Sequence, residues 1–258
     1  MTAATSPAVD EQLLDQAVAL AREAGDHTLR WFGTDDLVVD RKGDGTPVTE
    51  ADRATERLIR SRLAEMYPED TIIGEEESDQ HGSSGRRWIV DPIDGTKAFT
   101  HGVPLFSTLV AVEDEHGPAV GVIALPALDE VVYAGRGRGC FRNGRAAQVS
   151  LRDRLPGSYL TTSGFEYWPE STLAELRASG MLMRTWGDGY GYALVATGRV
   201  DAMVDPSAAK WDLAAMPVII GEAGGTFTDY TGAPRSDGGN GVATNGRIHE
   251  EVLALLNP

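Results

Sequence analysis

The sequence predicts an α/β protein with an α+β N-terminal half, residues 1–155, and an α/β C-terminal half, residues 156–258. Three observations predict this class. Two stretches near the N-terminus carry apolar residues at helical spacing, short apolar runs with intervening turns follow them, and beyond about residue 155 strand-like and helix-like segments alternate. We expect a small ligand to bind in a cleft between the two halves.

The N-terminal half begins with two predicted amphipathic helices, over residues 9–32 and 49–66, in which apolar residues recur every three or four positions. Predicted strands follow, and turn-forming residues separate the later ones, which indicates an antiparallel meander. The predicted strands cover residues 71–74, 88–91, 106–112, 120–125 and 131–134.

The C-terminal half alternates between the two kinds of element. Pro217 lies inside one predicted helix, and because proline lacks a backbone N–H we expect a kink or a late start there. The predicted strands cover residues 159–162, 181–186, 200–204, a short segment near 226, and 241–244. The predicted helices begin at residue 170, cover 192–196, begin at 213, and end the chain at 256.

Composition excludes several classes of protein. The 258 residues are 41% hydrophobic, which is enough for a core and argues against disorder. Twenty-three Lys and Arg against 39 Asp and Glu give a net charge of −16, so we expect no nucleic-acid partner. No run of about 18 apolar residues exists and the first twelve residues resemble no targeting segment, so we expect no membrane association. The single cysteine, Cys140, fits a reducing, cytoplasmic location.

Two aspartates follow a predicted buried strand. Asp91 and Asp94 come directly after the apolar residues 88–90. Pro92 between them should end a central strand, and the sequence Asp94-Gly95 is typical of a turn. We therefore expect both carboxylates to project from a tight turn at the carboxyl end of the strand.

Other acids lie next to predicted element ends. Glu75 follows the predicted strand over residues 71–74, and Asp212 opens a predicted helix. Carboxylates brought together raise one another's pKa, and a divalent cation relieves that repulsion. Oxygen ligands suit Mg²⁺, Mn²⁺ or Ca²⁺, whereas the five scattered histidines do not form a zinc site. Two or three such ions held together would support phosphomonoester hydrolysis.

Each of these residues also has a structural interpretation. Asp212 is a good N-cap, and Asp52 with Thr49 matches a capping box. The acidic residues 75–77 are typical of solvated surface, and a solvated side chain is also favoured for Lys42 over a position beside the site. Only the joint occurrence of acids at element ends favours a metal site.

Three motifs, in this order, resemble the inositol monophosphatase superfamily. They are GEE at residues 74–76, WIVDPIDGT at 88–96, and WDLAA at 211–215 followed by EAGG at 222–225. The resemblance covers nearly the whole chain. It implies a layered αβαβα sandwich of the inositol monophosphatase and fructose-1,6-bisphosphatase type, a homodimer, and Mg²⁺-dependent removal of phosphate from a small phosphorylated alcohol.

The resemblance also implies a set of metal ligands. One Mg²⁺ would bind Glu75, Asp91 and the backbone carbonyl of Ile93, and a second would bind Asp91, Asp94 and Asp212. A third, weaker Mg²⁺ would lie near Glu75. The resemblance therefore implies two or three Mg²⁺ per active site.

The resemblance assigns the remaining steps to two further sites. Thr96 and Asp52 would orient and deprotonate the attacking water, without a covalent phosphoenzyme. The backbone N–H groups of Gly95 and Thr96 would bind the phosphate at the start of a short helix.

Residues 186–192 and 215–219 resemble the histidinol-phosphate phosphatase branch of the superfamily. Asp188 would stabilise a cationic substrate, although it would serve equally as the N-cap of a helix over residues 190–196. Asp205 stands where the superfamily usually has a substrate-contacting glutamate, and its shorter side chain reduces its reach.

The expected reaction is hydrolysis of L-histidinol phosphate to histidinol and phosphate, a step of histidine biosynthesis, by direct attack of a metal-activated water. One alternative is an inositol-1-monophosphatase or another small-molecule phosphatase. An alternative of another class is a non-catalytic dimeric adaptor.

Overall fold

The computed structural model describes residues 6–35, 37–43 and 45–257, so the first five residues of the opening segment lie outside it. Two β-sheets with helices on both sides of each make up most of the described chain. The helices are α1 (Glu11–Thr28), α2 (Glu50–Met66), α3 (Thr96–Thr100), α4 (Glu170–Ala178), α5 (Asp188–Ala196), α6 (Lys210–Leu213), α7 (Met216–Glu222) and α8 (His249–Leu256).

The strands of the N-terminal half begin with a short hairpin and continue through the large sheet. They are β1 (Val39–Arg41), β2 (Pro47–Thr49), β3 (Thr71–Gly74), β4 (Arg87–Asp94), β5 (Ser107–Asp114), β6 (Gly117–Leu125), β7 (Glu130–Gly135), β8 (Gly139–Arg142) and β9 (Arg145–Ala146). The strands of the C-terminal half are β10 (Tyr159–Thr161), β11 (Leu182–Arg184), β12 (Ala202–Asp205), β13 (Thr226–Thr228) and β14 (Gly241–Thr244).

The two N-terminal helices form where the apolar spacing predicts them. In α1 the residues Leu13, Ala17 and Leu20 are buried on one face, and the Asp10 side chain caps the helix by accepting a hydrogen bond from Gln12 N. The helix ends at Thr28, before the predicted end at residue 32, because the segment that follows turns. In α2 the predicted capping box is present. The buried side chains of α1 and α2 pack on the same sheet.

The large sheet has seven strands in the order β3-β4-β5-β6-β7-β8-β9. Strands β3 and β4 are parallel, and each later neighbouring pair is antiparallel, as the predicted meander requires. Helices α1 and α2 cover one face, while α5 and α7 pack on the other. The carboxyl end of β4 thus lies between two layers of helices.

The second sheet has five strands in the order β11-β10-β12-β14-β13. Strand β10 is parallel to both of its neighbours, and β14 is antiparallel to β12 and β13. Helices α4 and α8 pack on its outer face, and α5 and α7 contact its inner face as well as the large sheet. The layers are therefore α, β, α, β, α, which confirms the predicted sandwich.

The predicted boundary near residue 155 separates the two sheets along the chain, because the large sheet ends at Ala146 and the second begins at Tyr159. Helices α5 and α7 contact both sheets, so one hydrophobic core continues across that boundary. The division into two halves stays a prediction about how the chain is organised.

Two local features were foreseen or missed for clear reasons. The helical stretch around Pro217 is divided into α6 and α7, with the proline in the first turn of α7, as its missing N–H predicts. The β1–β2 hairpin was not predicted, because its strands have three residues each and β1 is exposed.

None of the helices in the described residues is both long and apolar enough to cross a membrane.

Candidate active site

A cleft of about 630 Å³ opens at the carboxyl end of β4, between the two sheets. Residues from both halves of the chain line it. The cleft brings together almost all of the predicted site residues, namely Glu75, Asp91, Ile93, Asp94, Gly95, Thr96, Asp188, Asp205 and Asp212. The remaining one, Asp52, lies behind Thr96 and contacts it.

Strand β4 supplies the first two carboxylates. The expectation that Pro92 ends this strand is wrong, because β4 continues to Asp94. The pairing with β5 shifts register between Asp91 and Asp94, so the irregular segment accommodates the proline. Thr108 Oγ1 donates to the Pro92 carbonyl at 2.8 Å, which uses a hydrogen-bonding group that regular pairing would have used. The irregularity lets both aspartates face the cleft.

Asp212 reaches the same point from the first turn of α6. It is not the N-cap, because α6 begins at Lys210, yet its Oδ2 accepts a hydrogen bond from Ala209 N at 2.7 Å and so caps the helix from its third position. One carboxylate oxygen each from Asp91, Asp94 and Asp212 lies within 4.8 Å of the others. The structural and the functional interpretations of Asp212 are therefore compatible.

The three carboxylates are strongly perturbed. Burial, followed by the charges of neighbouring acids, raises the pKa of Asp91 and of Asp94 well above the ordinary value. Burial also raises the pKa of Asp212 to about 7. No Lys, Arg or His within the described residues pairs with these three side chains at salt-bridge distance. A set of buried oxygen donors with unbalanced negative charge fits a hard divalent cation.

Glu75 lies beside this group, at the end of β3. Lys42 Nζ, in the turn of the β1–β2 hairpin, is 2.6 Å from Glu75 Oε1 and 2.6 Å from Glu76 Oε1. Burial lowers the pKa of Lys42, but its bonds to the two glutamates outweigh this and raise the pKa above the ordinary value. The favoured interpretation of Lys42 as a solvated lysine is wrong, and Glu75 and Glu76 are half-buried rather than solvated surface.

Asp52 serves the capping box and also faces the site. Its Oδ2 accepts hydrogen bonds from Thr49 N at 2.8 Å and Thr49 Oγ1 at 2.6 Å. Its Oδ1 is 3.4 Å from Thr96 Oγ1, whereas the Ile93 carbonyl accepts from the same hydroxyl at 3.0 Å. Burial raises the pKa of Asp52, and the bonds from Thr49 oppose that rise. The predicted pair is thus assembled, with a long contact between its members.

Gly95 precedes α3 and faces the cleft. Its φ of +82° lies in the left-handed region that favours glycine, and a Cβ there would come 2.9 Å from Asp188 Oδ2. Backbone conformation and close approach both require glycine at this position. Thr96 then begins the five-residue helix α3.

Asp188 and Asp205 line the cleft next to the aspartates of β4, since Gly189 N, adjacent to Asp188, donates to Asp94 Oδ2. Asp205 ends β12 and accepts hydrogen bonds from Ser163 Oγ at 2.6 Å and from Tyr192 OH at 2.9 Å. Burial and the charge of Asp205 raise the pKa of Asp188 to about 6, while Ser163 and Lys97 oppose that rise. Burial likewise raises the pKa of Asp205.

The N-cap interpretation of Asp188 is wrong. Gly187 holds that position, and α5 begins at Asp188 rather than at residue 190. Gly187 has no side chain, and Ser163 Oγ and Asp94 Oδ2 accept instead from the N–H groups of Asp188 and Gly189. Sequence reasoning also missed several residues that line the cleft, namely Ser163, Glu166, Tyr167 and Trp211. The signal that could have identified Ser163 is the polar segment TSG at 162–164, which directly follows a strand.

Comparison with known proteins agrees with this geometry. The model of the inositol monophosphatase family matches residues 9–257. A histidinol-phosphatase of Chlorobaculum parvum is 43% identical over 94% of this chain and 96% of its own length, and one of Mycobacterium tuberculosis is 42% identical over 93% and 96%. The crystal structure of the extragenic suppressor protein SuhB from Bartonella henselae superposes with a TM-score of 0.89, at 33% identity, covering 96% of this chain and 99% of that one. The chain belongs to the inositol monophosphatase family.

Proposed function

We propose that this protein is a Mg²⁺-dependent phosphomonoesterase that hydrolyses L-histidinol phosphate to histidinol and phosphate. The observation that carries the proposal is one cleft in which the carboxylates of Asp91, Asp94 and Asp212 converge, with those of Asp188 and Asp205 beside them. The converging group suits a metal-bound phosphate, and the neighbouring pair suits a cationic alcohol. The similarity to proteins named histidinol-phosphatase supports the same substrate.

Five residues would hold the metal ions. Glu75, Asp91, Asp94 and Asp212 offer carboxylates and Ile93 offers a backbone carbonyl, and we propose two or three Mg²⁺ per site. When bound, these ions would balance the charge of the phosphate and lower the pKa of water. The fit rests on the unbalanced charge of the buried acids.

Asp52 and Thr96 are the proposed base and orienting hydroxyl for the attacking water. Thr96 lines the cleft and contacts Asp52, which is buried and has a raised pKa. A raised pKa makes a carboxylate a better proton acceptor. The N–H groups of Gly95 and Thr96 would bind phosphate oxygens beside them.

Asp188 and Asp205 are the proposed contacts to the rest of the substrate. Histidinol phosphate carries an ammonium and an imidazole, whereas inositol offers only hydroxyls. A carboxylate near a cation forms charge-assisted hydrogen bonds, which are about twice as strong as neutral ones. Cation binding would also favour the ionised form of Asp188, whose pKa burial raises to about 6.

The reaction is tested by phosphate release from a panel of monoesters, with Mg²⁺ and with EDTA. We expect histidinol phosphate to be hydrolysed with the highest kcat/KM and only in the presence of metal. A preference of tenfold or more for inositol 1-phosphate, about 1.4 kcal/mol, would overturn the substrate assignment.

Asp188→Asn tests the charge argument separately. The side chain keeps its shape and loses its charge, so we expect kcat/KM to fall about tenfold or more for histidinol phosphate and much less for inositol 1-phosphate. Steady-state kinetics on both esters measures this. Equal losses on the two esters would contradict a role for the charge.

Three further properties belong to the same proposal. We propose a homodimer located in the cytoplasm, with a role in histidine biosynthesis. The buried, free Cys140 is compatible with a reducing compartment.

A further inference from the structure

Ser163 follows strand β10 and joins two acids of the cleft. Its hydroxyl is 2.6 Å from Asp205 Oδ1 and 2.9 Å from Asp188 N. A serine hydroxyl has one proton, and the carboxylate can only accept it, so the oxygen accepts from the backbone N–H of Asp188. The Ser163 backbone N–H also points to Asp205 Oδ1, at 3.3 Å. One side chain thereby fixes a carboxylate and a backbone together.

Asp188 needs such support because its backbone is strained. Its φ of +54° lies in the left-handed region, which costs a residue with a Cβ free energy unless its surroundings hold it there. On the far side, Gly189 N donates to Asp94 Oδ2 at 2.5 Å. On the near side Gly187 lies so close that a Cβ there would come within 2.7 Å of Ser163 N. The segment is held between Ser163 and Asp94.

We propose that Ser163 is a positioning residue for substrate selection. It holds the carboxylates of Asp188 and Asp205 in the relative arrangement that binds the cationic part of the substrate, and this inference rests on the proposed function. Without the hydroxyl, the Asp188 N–H loses its acceptor and the strained backbone can relax. Asp205 keeps Tyr192 OH but loses the shorter of its two side-chain bonds. The phosphate side keeps its bond between Gly189 and Asp94.

The test is Ser163→Ala, assayed with histidinol phosphate and with inositol 1-phosphate. We expect KM for histidinol phosphate to rise about tenfold, a size usual for losing a hydrogen bond to a charged group, with kcat changed by less than about threefold. KM for inositol 1-phosphate should change by less than about twofold. The inhibition constant of L-histidinol, which reports on recognition without chemistry, should also rise about tenfold.

Two variants serve as controls. Ser163→Thr keeps the hydroxyl and should retain the wild-type selectivity between the two esters. Ser150→Ala removes a matched arrangement away from the cleft, because Ser150 Oγ donates to Asp201 Oδ1 at 2.5 Å and accepts from Asn245 Nδ2 at 2.9 Å. It should lower the thermal midpoint and leave both KM values unchanged. If Ser163→Ala does not fold, Ser163→Cys gives the same comparison, since a thiol is a weak donor and acceptor.

The outcomes separate the inference from the proposed function. If the wild-type protein does not prefer histidinol phosphate, the proposed function is wrong and the positioning role is wrong with it. If the wild type has the preference and Ser163→Ala keeps it, or raises both KM values equally, only the positioning role is wrong. Failure of Ser163→Thr to retain selectivity would also overturn it.

Discussion

At the scale of single residues, one carboxylate often performs two roles in this protein. Asp52 completes the capping box of α2 and faces Thr96, and Asp212 caps α6 and completes the group of three acids. The sequence presents these as alternatives, because a capping motif and a metal ligand are both short acidic patterns. A carboxylate has two oxygens, so one can bond the backbone while the other faces the cleft.

The crowded acids lead to a prediction for Asp91→Asn. Asparagine can still accept the hydrogen bond from Ile93 N, and it removes one of the like charges. We expect activity to fall at least about 100-fold. Without metal, the variant should have a free energy of unfolding roughly 1–3 kcal/mol higher than that of the wild type, because repulsion is reduced, and it should therefore unfold at a higher temperature. Activity assays and thermal unfolding in EDTA measure the two effects.

Asp201→Asn is the matched control for that variant. Asp201 is also buried, but Ser150 Oγ and Tyr159 N donate to it and Arg152 Nε lies 3.8 Å from its Oδ2. Its replacement should destabilise the fold. A metal-free Asp91→Asn protein that is less stable than the wild type would show that repulsion does not dominate at the site.

At the scale of elements, α8 is attached to the second sheet through a histidine. Thr228 Oγ1 donates to the Asp229 carbonyl and so accepts from His249 Nε2, at 3.0 Å. Thr244 Oγ1 accepts from Gly246 N and donates to His249 Nδ1, also at 3.0 Å. This pattern fits the neutral imidazole, and burial lowers the pKa of His249.

The stability of the protein should therefore depend on pH through His249. Its folded pKa is below the unfolded value of about 6.5, so the unfolded state binds the proton more readily and stability falls as pH decreases below that value. Urea unfolding of the wild type and of His249→Gln, in EDTA between pH 7.5 and 5.5, measures this. The free energy of unfolding of the wild type should exceed that of His249→Gln at pH 7.5, and this difference should shrink as the pH falls to 5.5. His81→Gln, an exposed position, should follow the wild type, and parallel curves for His249→Gln would refute the assignment.

Helix α5 leads to a prediction about close packing. At Gly189 a Cβ would come 2.8 Å from Asp94 Oδ2, so Gly189→Ala should destabilise by about 1–3 kcal/mol and reduce activity. Gly221 in α7 has nothing within 4 Å of its Cβ position, so Gly221→Ala should stabilise by about 0.5–1 kcal/mol. Urea unfolding of both variants compares them, and equal effects would contradict the packing argument.

At the scale of the whole molecule, the cleft joins residues from both sheets, so a bound metal should stabilise the entire fold. At a free Mg²⁺ concentration 100 times the dissociation constant, a single site adds about 2.7 kcal/mol. For a chain of 258 residues we expect a rise of roughly 5–10 °C in the thermal midpoint. Scans in Mg²⁺ and in EDTA measure it. Asp91→Asn should lose most of this rise, and an equal rise in the variant would place the metal elsewhere.

Periodicity and turn residues in the sequence were sufficient for most elements, including the capping box of α2 and the break at Pro217. They were insufficient for the β1–β2 hairpin and for β4 beyond Pro92, because an exposed three-residue strand has no apolar pattern and a β-bulge depends on the neighbouring strand. Lys42 was misjudged for the same reason, since its position depends on that hairpin.

By itself the sequence determined the order of the elements, the surplus of acids at their ends and the family motifs, because spacing, charge and chain order are local properties. Only the tertiary structure decided that Asp91, Asp94 and Asp212 converge, that Lys42 pairs with Glu75, and that Ser163 joins Asp188 to Asp205. Those contacts link residues far apart along the chain, and the packing of the two sheets on shared helices brings them together.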